Sequence, residues 1–206
     1  MAALLKPLVE KALEESKNER EIHSFLKNQL QLVRTAFGAF AWNHNSTIPE
    51  YKLGNEFRVD FLILTADSGQ WHATFVELKS HLEQPFTKKG VPGAGLNVAI
   101  AQMQDRKLWV EANNREFRRG LSKVLEDKGT PAQCLSSDLH TKAATEIIDH
   151  RTHISFNYII VAGRRNMIPD EHQRRRHVSP QVEIATYDRL LGVAERFDKA
   201  EMERKG

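Results

Sequence analysis

Residues 58 to 81, RVDFLILTADSGQWHATFVELKSH, constrain the fold of this chain more than any other stretch. Val59 to Leu64 and Ala73 to Leu78 are β-branched, aliphatic and aromatic runs, and Asp67-Ser68-Gly69 between them is a turn sequence, so the segment predicts a β-hairpin. Side chains alternate along a strand, which sends Glu77 and Lys79 to one face and Val76 and Leu78 to the other. One face is then expected to be chemistry and the other core. Asp60 shares its face with Arg58 and Leu62 and meets Glu77 across the hairpin if the strand register allows; the sequence leaves that register open.

Two carboxylates and a lysine suit a metal-dependent phosphodiesterase. Hard divalent cations take carboxylate, carbonyl and water oxygens, and Mg2+ commonly uses one or two carboxylates plus a substrate phosphate. A cation lowers the pKa of bound water, and a nearby lysine adds positive charge where the attacking water and the transition state need it. The competing explanation is a cross-strand ion pair. Charged residues in an apolar, central strand are costly unless paired or metal-bound, and both readings satisfy that condition.

Asp60, a turn, then Glu77-Leu78-Lys79 resembles the PD-(D/E)xK nuclease motif, with Val59 where the name-giving proline would stand. Asn18-Glu19-Arg20-Glu21 followed by Phe25-Leu26, then Leu53-Gly54, VELKS and the late VEIATYDRLL resemble, in that order, the nuclease domain of Shedu antiphage defence proteins over roughly residues 15 to 195. The resemblance implies a restriction-endonuclease-like three-layer α/β fold with a mixed sheet, and a DNA endonuclease or nickase. It implies Mg2+ as cofactor, with Mn2+ as a substitute, held by Asp60, Glu77 and the Leu78 carbonyl. Lys79 would assist the attacking water, Glu19 would add an acidic group from the first core helix, and Gln102 would stand beside the metal. For Glu19 and Gln102 the plainer alternatives are a helix-dipole charge and a surface residue.

With 206 residues, 40% hydrophobic and 28% charged, the chain is long enough for one domain with a proper core. Thirty basic against 27 acidic residues leave a formal charge of +3, which permits a polyanion partner without requiring one. The single cysteine, Cys134, excludes an intramolecular disulfide and a thiolate-rich zinc site and fits a reducing cytoplasm. No apolar run approaches the ~20 residues of a membrane span. The expected partners are DNA, further copies of the chain and a phage-derived trigger, with no membrane.

Helices are expected over about 2 to 16, 18 to 34 and 96 to 119, with weaker helical signals at 121 to 127 and 140 to 148. Strands are expected over 37 to 43, 155 to 162 and 182 to 186, and a closing helix over 187 to 198. The organisation is thus an N-terminal helix (1–17), a nuclease domain (18–198) and a frayed polar tail (199–206). Residues 81 to 97 form a loop whose glycines lack the Gly-Lys-Ser/Thr ending of a phosphate loop. Its Lys88 and Lys89, with Arg106, Arg164, Arg165, Arg174, Arg175 and Arg176, are candidates for DNA backbone contact or plain solvated charges. His140, His150 and His153 lack zinc-site spacing, and Asn43-His44-Asn45 lacks the second histidine of an HNH nuclease. The rival to an enzyme is a non-catalytic nucleic-acid-binding or sensing module on the same fold; a structural subunit of a larger complex is a third reading.

Overall fold

The computed structural model describes residues 4–38, 44–67, 70–126, 137–169, 177–179 and 182–205. Strands β1 (His44–Leu53), β2 (Phe57–Asp67), β3 (Gln70–Leu78), β4 (His153–Val161), β5 (His177–Ser179) and β6 (Val182–Ala185) form one sheet in the order β1-β2-β3-β4-β6-β5. The expected hairpin is β2 and β3, antiparallel, with Phe61 opposite Val76. β3 pairs in parallel with β4, and β4 with β6, so the sheet is mixed and β3 is central. The parallel β3–β4 step needs a long crossover. It is made by α4 (Ala94–Ala112), α5 (Asn114–Glu126) and α6 (Ser137–Ile148).

Both faces of the sheet are covered. Leu62, Leu64, Ala73 and Phe75 pack under Met103, Val110, Leu121 and Ala144 of α4 to α6. Phe61, Ile63, Val76 and Leu78 pack under Val9, Ile22, Val33 and Leu190. Those four lie on α1 (Leu5–Glu15), α2 (Glu19–Lys27), α3 (Leu30–Phe37) and α7 (Asp188–Lys205). This is the three-layer α/β arrangement that the resemblance implied. The expectation of one chemical and one apolar face needs correction, because the Glu77 face carries Leu62 and Phe75 as core. Only its end is chemical.

Other boundaries also differ. The helix expected over 18 to 34 divides at Asn28-Gln29 into α2 and α3, and the one over 96 to 119 divides at Asn113 into α4 and α5. Each break is at a residue whose short polar side chain competes for backbone bonds: Asn28 Nδ2 donates to the Ser24 carbonyl at 3.1 Å and Asn113 Nδ2 to the Trp109 carbonyl at 3.0 Å. A strand over 37 to 43 is not where the first strand lies: Phe37 ends α3, residues 39 to 43 are outside the described residues, and β1 begins at His44. The segment 199 to 205 continues α7 where a frayed tail was expected. That helix is anchored at Asp198, which accepts the backbone N–H groups of Leu5 and Lys6 at 2.7 and 2.9 Å and so caps α1.

Gly163 ends β4 with φ +61°, a left-handed conformation that glycine adopts without penalty. A Cβ there would stand 2.6 Å from Pro85 Cδ. Its N–H donates to the Ser80 carbonyl and its carbonyl accepts from Tyr187, so one glycine ties together the chain leaving β3, β4 and β6. Just beyond it, Arg164 donates to Asp188 at 3.1 and 3.2 Å, and the Arg165 backbone N–H donates to the same carboxylate at 2.6 Å. Burial opposes the Asp188 charge, but these bonds and the Arg164 charge outweigh it and hold the carboxyl below its usual range. A depressed carboxyl pKa adds stability that is present above the unfolded value, near 3.8, and is lost as pH falls through the lower folded value. Asp188→Asn should therefore cost about 1–2 kcal/mol at neutral pH, and urea unfolding should show the gap to wild type closing as pH drops below about 4.

Candidate active site

The ladder between β2 and β3 sets Phe61 against Val76, so the next residues outward, Asp60 and Glu77, face each other on one side of the sheet. The open register is thereby decided in favour of an Asp60–Glu77 pair. Asp60 Oδ2 accepts the Leu78 N–H at 2.7 Å, which pins the carboxylate to the end of β3 and leaves Oδ1 toward His23, whose Nε2 stands 4.0 Å away. On the other side of β2, the β1 pairing runs Pro49 to Phe61 and then Tyr51 to Val59, skipping Glu50 and Asp60. Glu50 has φ +53°, and such strain costs on the order of 1–3 kcal/mol. Asp60 thus lies at an irregularity of the ladder.

Glu77 is 5% exposed and is held by two cations. Lys79 Nζ donates to Oε1 at 3.1 Å, and Arg106 Nη1 lies 3.1 Å from Oε2 without an aligned hydrogen bond. Burial pushes the Glu77 carboxyl above its ordinary range and the Asp60 charge pushes it further; Arg106 and Lys79 pull it back only in part. Lys79 Nζ is also 3.9 Å from Glu19 Oε1, and burial raises the Glu19 carboxyl as well, against the pull of Lys79. Glu19 opens α2 because Asn18 caps it: the Asn18 side chain accepts from Glu21 N–H, and Glu21 reaches back to Lys17 N–H at 2.7 Å. Tyr187 fixes the backbone beneath, donating its hydroxyl to the Lys79 carbonyl at 2.9 Å, and burial raises that phenol well above its usual range.

Asp60, Glu77, Leu78, Lys79 and Glu19 are therefore brought together where β2 and β3 end between the two helical layers. Gln102 lies one turn before Arg106 on the same face of α4, and its buried Oε1 has no hydrogen-bond partner. Arg106 is 8% exposed and donates to the Arg58 carbonyl at 2.8 Å, so it sits inside the site and not on a DNA-facing surface. Arg164 is paired with Asp188, and Arg165, Lys88 and Lys89 are exposed. Arg174, Arg175 and Arg176 lie outside the described residues, as does Cys134. His44 is a core histidine, 2.8 Å from Ser46 Oγ and packed on Trp71 at the far end of β2. Exposed His150 and His153 build no metal site, the His140 side chain is outside the described residues, and among those described no three His, Cys, Asp or Glu side chains already converge on one cation position.

Two neighbours were missed in the sequence. His23 follows Glu19 by four residues on α2, a spacing that places both on one face. Tyr187 stands inside the VEIATYDRLL run without having been given a role.

A cleft of about 370 Å³ opens over the site, lined by Glu19, Lys79, Glu83 and the first residues of α4 from Ala94 to Leu96. The oxygen set fits a hard cation: Asp60 Oδ1 faces His23 at 4.0 Å, each Glu77 oxygen keeps a second lone pair, and Gln102 Oε1, which has no hydrogen-bond partner among the described residues, is an acceptor in want of a donor such as bound water.

Removing one partner of a buried ion pair leaves the other uncompensated. Arg106→Met should destabilise the fold by about 3–5 kcal/mol in urea unfolding, and Glu77→Gln in the same chain should restore part of that loss. Simple additivity of the two changes would mean that the pair is not coupled.

Comparison with curated proteins finds no match. The family model described as Shedu protein SduA, C-terminal, matches residues 16–191, a span that contains Glu19, Asp60, Glu77, Lys79 and Tyr187. The chain therefore belongs to the Shedu family.

Proposed function

We propose that this protein is a Mg2+-dependent DNA endonuclease or nickase that hydrolyses phosphodiester bonds in bacterial antiphage defence. Shedu family membership supports the defence role. The observation that carries the nuclease reading is the meeting of Asp60 and Glu77 at one strand end beside Lys79, which with Glu19 lines the neighbouring cleft. Asp60, Glu77 and the Leu78 carbonyl would hold the cation. When bound, it would acidify a water and offset charge on the scissile phosphate.

The chain's own residues do the rest. Lys79, with its backbone fixed by Val161 and Tyr187, presents Nζ between Glu77 and Glu19, where it can orient an attacking water and stabilise charge in the transition state. Asp60 is held by the Leu78 N–H, so it need not reorganise when substrate arrives. The N-terminus of α4 borders the cleft and favours a phosphate through its dipole and free N–H groups. Lys88, Lys89 and Arg165 are exposed cations of the kind that contacts a DNA backbone.

The second reading, a non-catalytic nucleic-acid-binding or sensing module, is favoured by one observation: both Glu77 oxygens already face a cation, so the charges are balanced without metal. One set of measurements separates the two. Wild type should cut or nick supercoiled DNA with Mg2+ or Mn2+ and not in chelator. Asp60→Asn and Glu77→Gln should lose about 100-fold or more in rate together with the thermal stabilisation that Mn2+ gives the wild type. Lys79→Ala should lose cleavage while keeping or strengthening Mn2+ binding, because it deletes a cation that competes with the metal. Wild-type cleavage by Lys79→Ala, or undiminished Mn2+ binding by both carboxylate variants, would overturn the nuclease reading.

A further inference from the structure

A second cleft, of about 600 Å³, lies over the first two turns of α5 and is lined by Asn114, Arg115, Arg118, Arg119, Ile148 and His150. It shares no lining residue with the first cleft, which borders the N-terminal end of α4, whereas this one begins just beyond the C-terminal end of that helix.

The three arginines are not equivalent. Arg118 is structural: its guanidinium donates to the carbonyls of Ile147, Asp149 and Thr152 at 2.9 to 3.0 Å and so closes the end of α6, while Nε donates to Asn114. Arg115 and Arg119 are exposed, make no ion pair among the described residues, and stand four residues apart on one helix face. Like charges at that spacing destabilise a helix by about 0.2–0.5 kcal/mol, and the first turn of a helix disfavours cations. Local stability therefore gives no reason for them. The nearby Asp149 carboxylate does not neutralise them, because Arg151 holds it at 2.8 Å. His150, 92% exposed at its side chain and with Nδ1 3.8 Å from Asp149 Oδ1, leaves Nε2 as a third polar group on the rim.

We propose that this cleft is a second, non-catalytic anion site that takes a phosphate-bearing ligand on Arg115, Arg119 and His150. Two arginine forks at the mouth of a cavity of small-ligand size suit phosphate oxygens, whether on a nucleotide or on a nucleic-acid backbone. The inference does not rest on the nuclease reading.

The test is calorimetric titration of the full chain in EDTA with two probes, ATP and a short DNA duplex, on wild type, Asp60→Asn and Arg115→Gln/Arg119→Gln. At least one probe should bind wild type and Asp60→Asn alike and bind the double variant about tenfold or more weakly. Weakening confined to ATP assigns the site to nucleotides; weakening of the duplex, with the salt slope reduced by about 2, assigns it to nucleic-acid backbone. The double variant should melt at or above the wild-type temperature, because a like-charge pair has been removed. Failure of both probes to bind, equal binding by the double variant, equal loss in Asp60→Asn, or a lowered melting temperature of the double variant would each overturn the proposal.

Discussion

The structure depends on accommodating the buried carboxylate of Glu77 at the end of a central strand. Burying such a group alone is prohibitive, and two cations answer it from different parts of the chain: Lys79 from two residues along and Arg106 from α4. That requirement fixes where α4 must lie against β3, since the Arg106 guanidinium also donates to the Arg58 carbonyl on β2. The crossover helix is thus pinned to both strands that carry the motif. The same bonds hold the carboxylate and lysine of the site in place before any ligand arrives.

Around this centre, irregularity is concentrated where the chemistry is. β1 departs from regular pairing at Glu50, opposite Asp60, and the chain turns through Gly163 and Tyr187 beneath Lys79. Asp60 accepts the Leu78 N–H across the β2–β3 end, and a hydroxyl from beyond β6 fixes the Lys79 carbonyl. In this member of the Shedu family the site is held by contacts from both helical layers.

Much of the fold was legible because it rests on local pattern. The hairpin of β2 and β3 follows from apolar runs around a turn sequence, and the run SFNYIIVA covers most of β4 and ends one residue beyond it. Asp60, Glu77 and Lys79 were legible as a set because charged residues interrupt otherwise apolar strands. Helix ends were less so: Asn28 and Asn113 each break a continuous apolar period through a side-chain bond to the preceding turn, a competition that periodicity does not register.

What the sequence by itself determined is the strand composition, the alternation that puts Glu77 and Lys79 on one face, and the Asn18 cap that starts α2. These depend on residues within a few positions of one another. Only the tertiary structure decided that Asp60 faces Glu77, that Arg106 turns inward to Glu77 instead of outward to a polyanion, that His23 approaches Asp60, and that Tyr187 supports Lys79. Each of those joins residues 17 to 108 positions apart. The physical reason is that register and the packing of helical layers are set by burial of the whole core, and no local propensity encodes which distant charge will compensate a buried one.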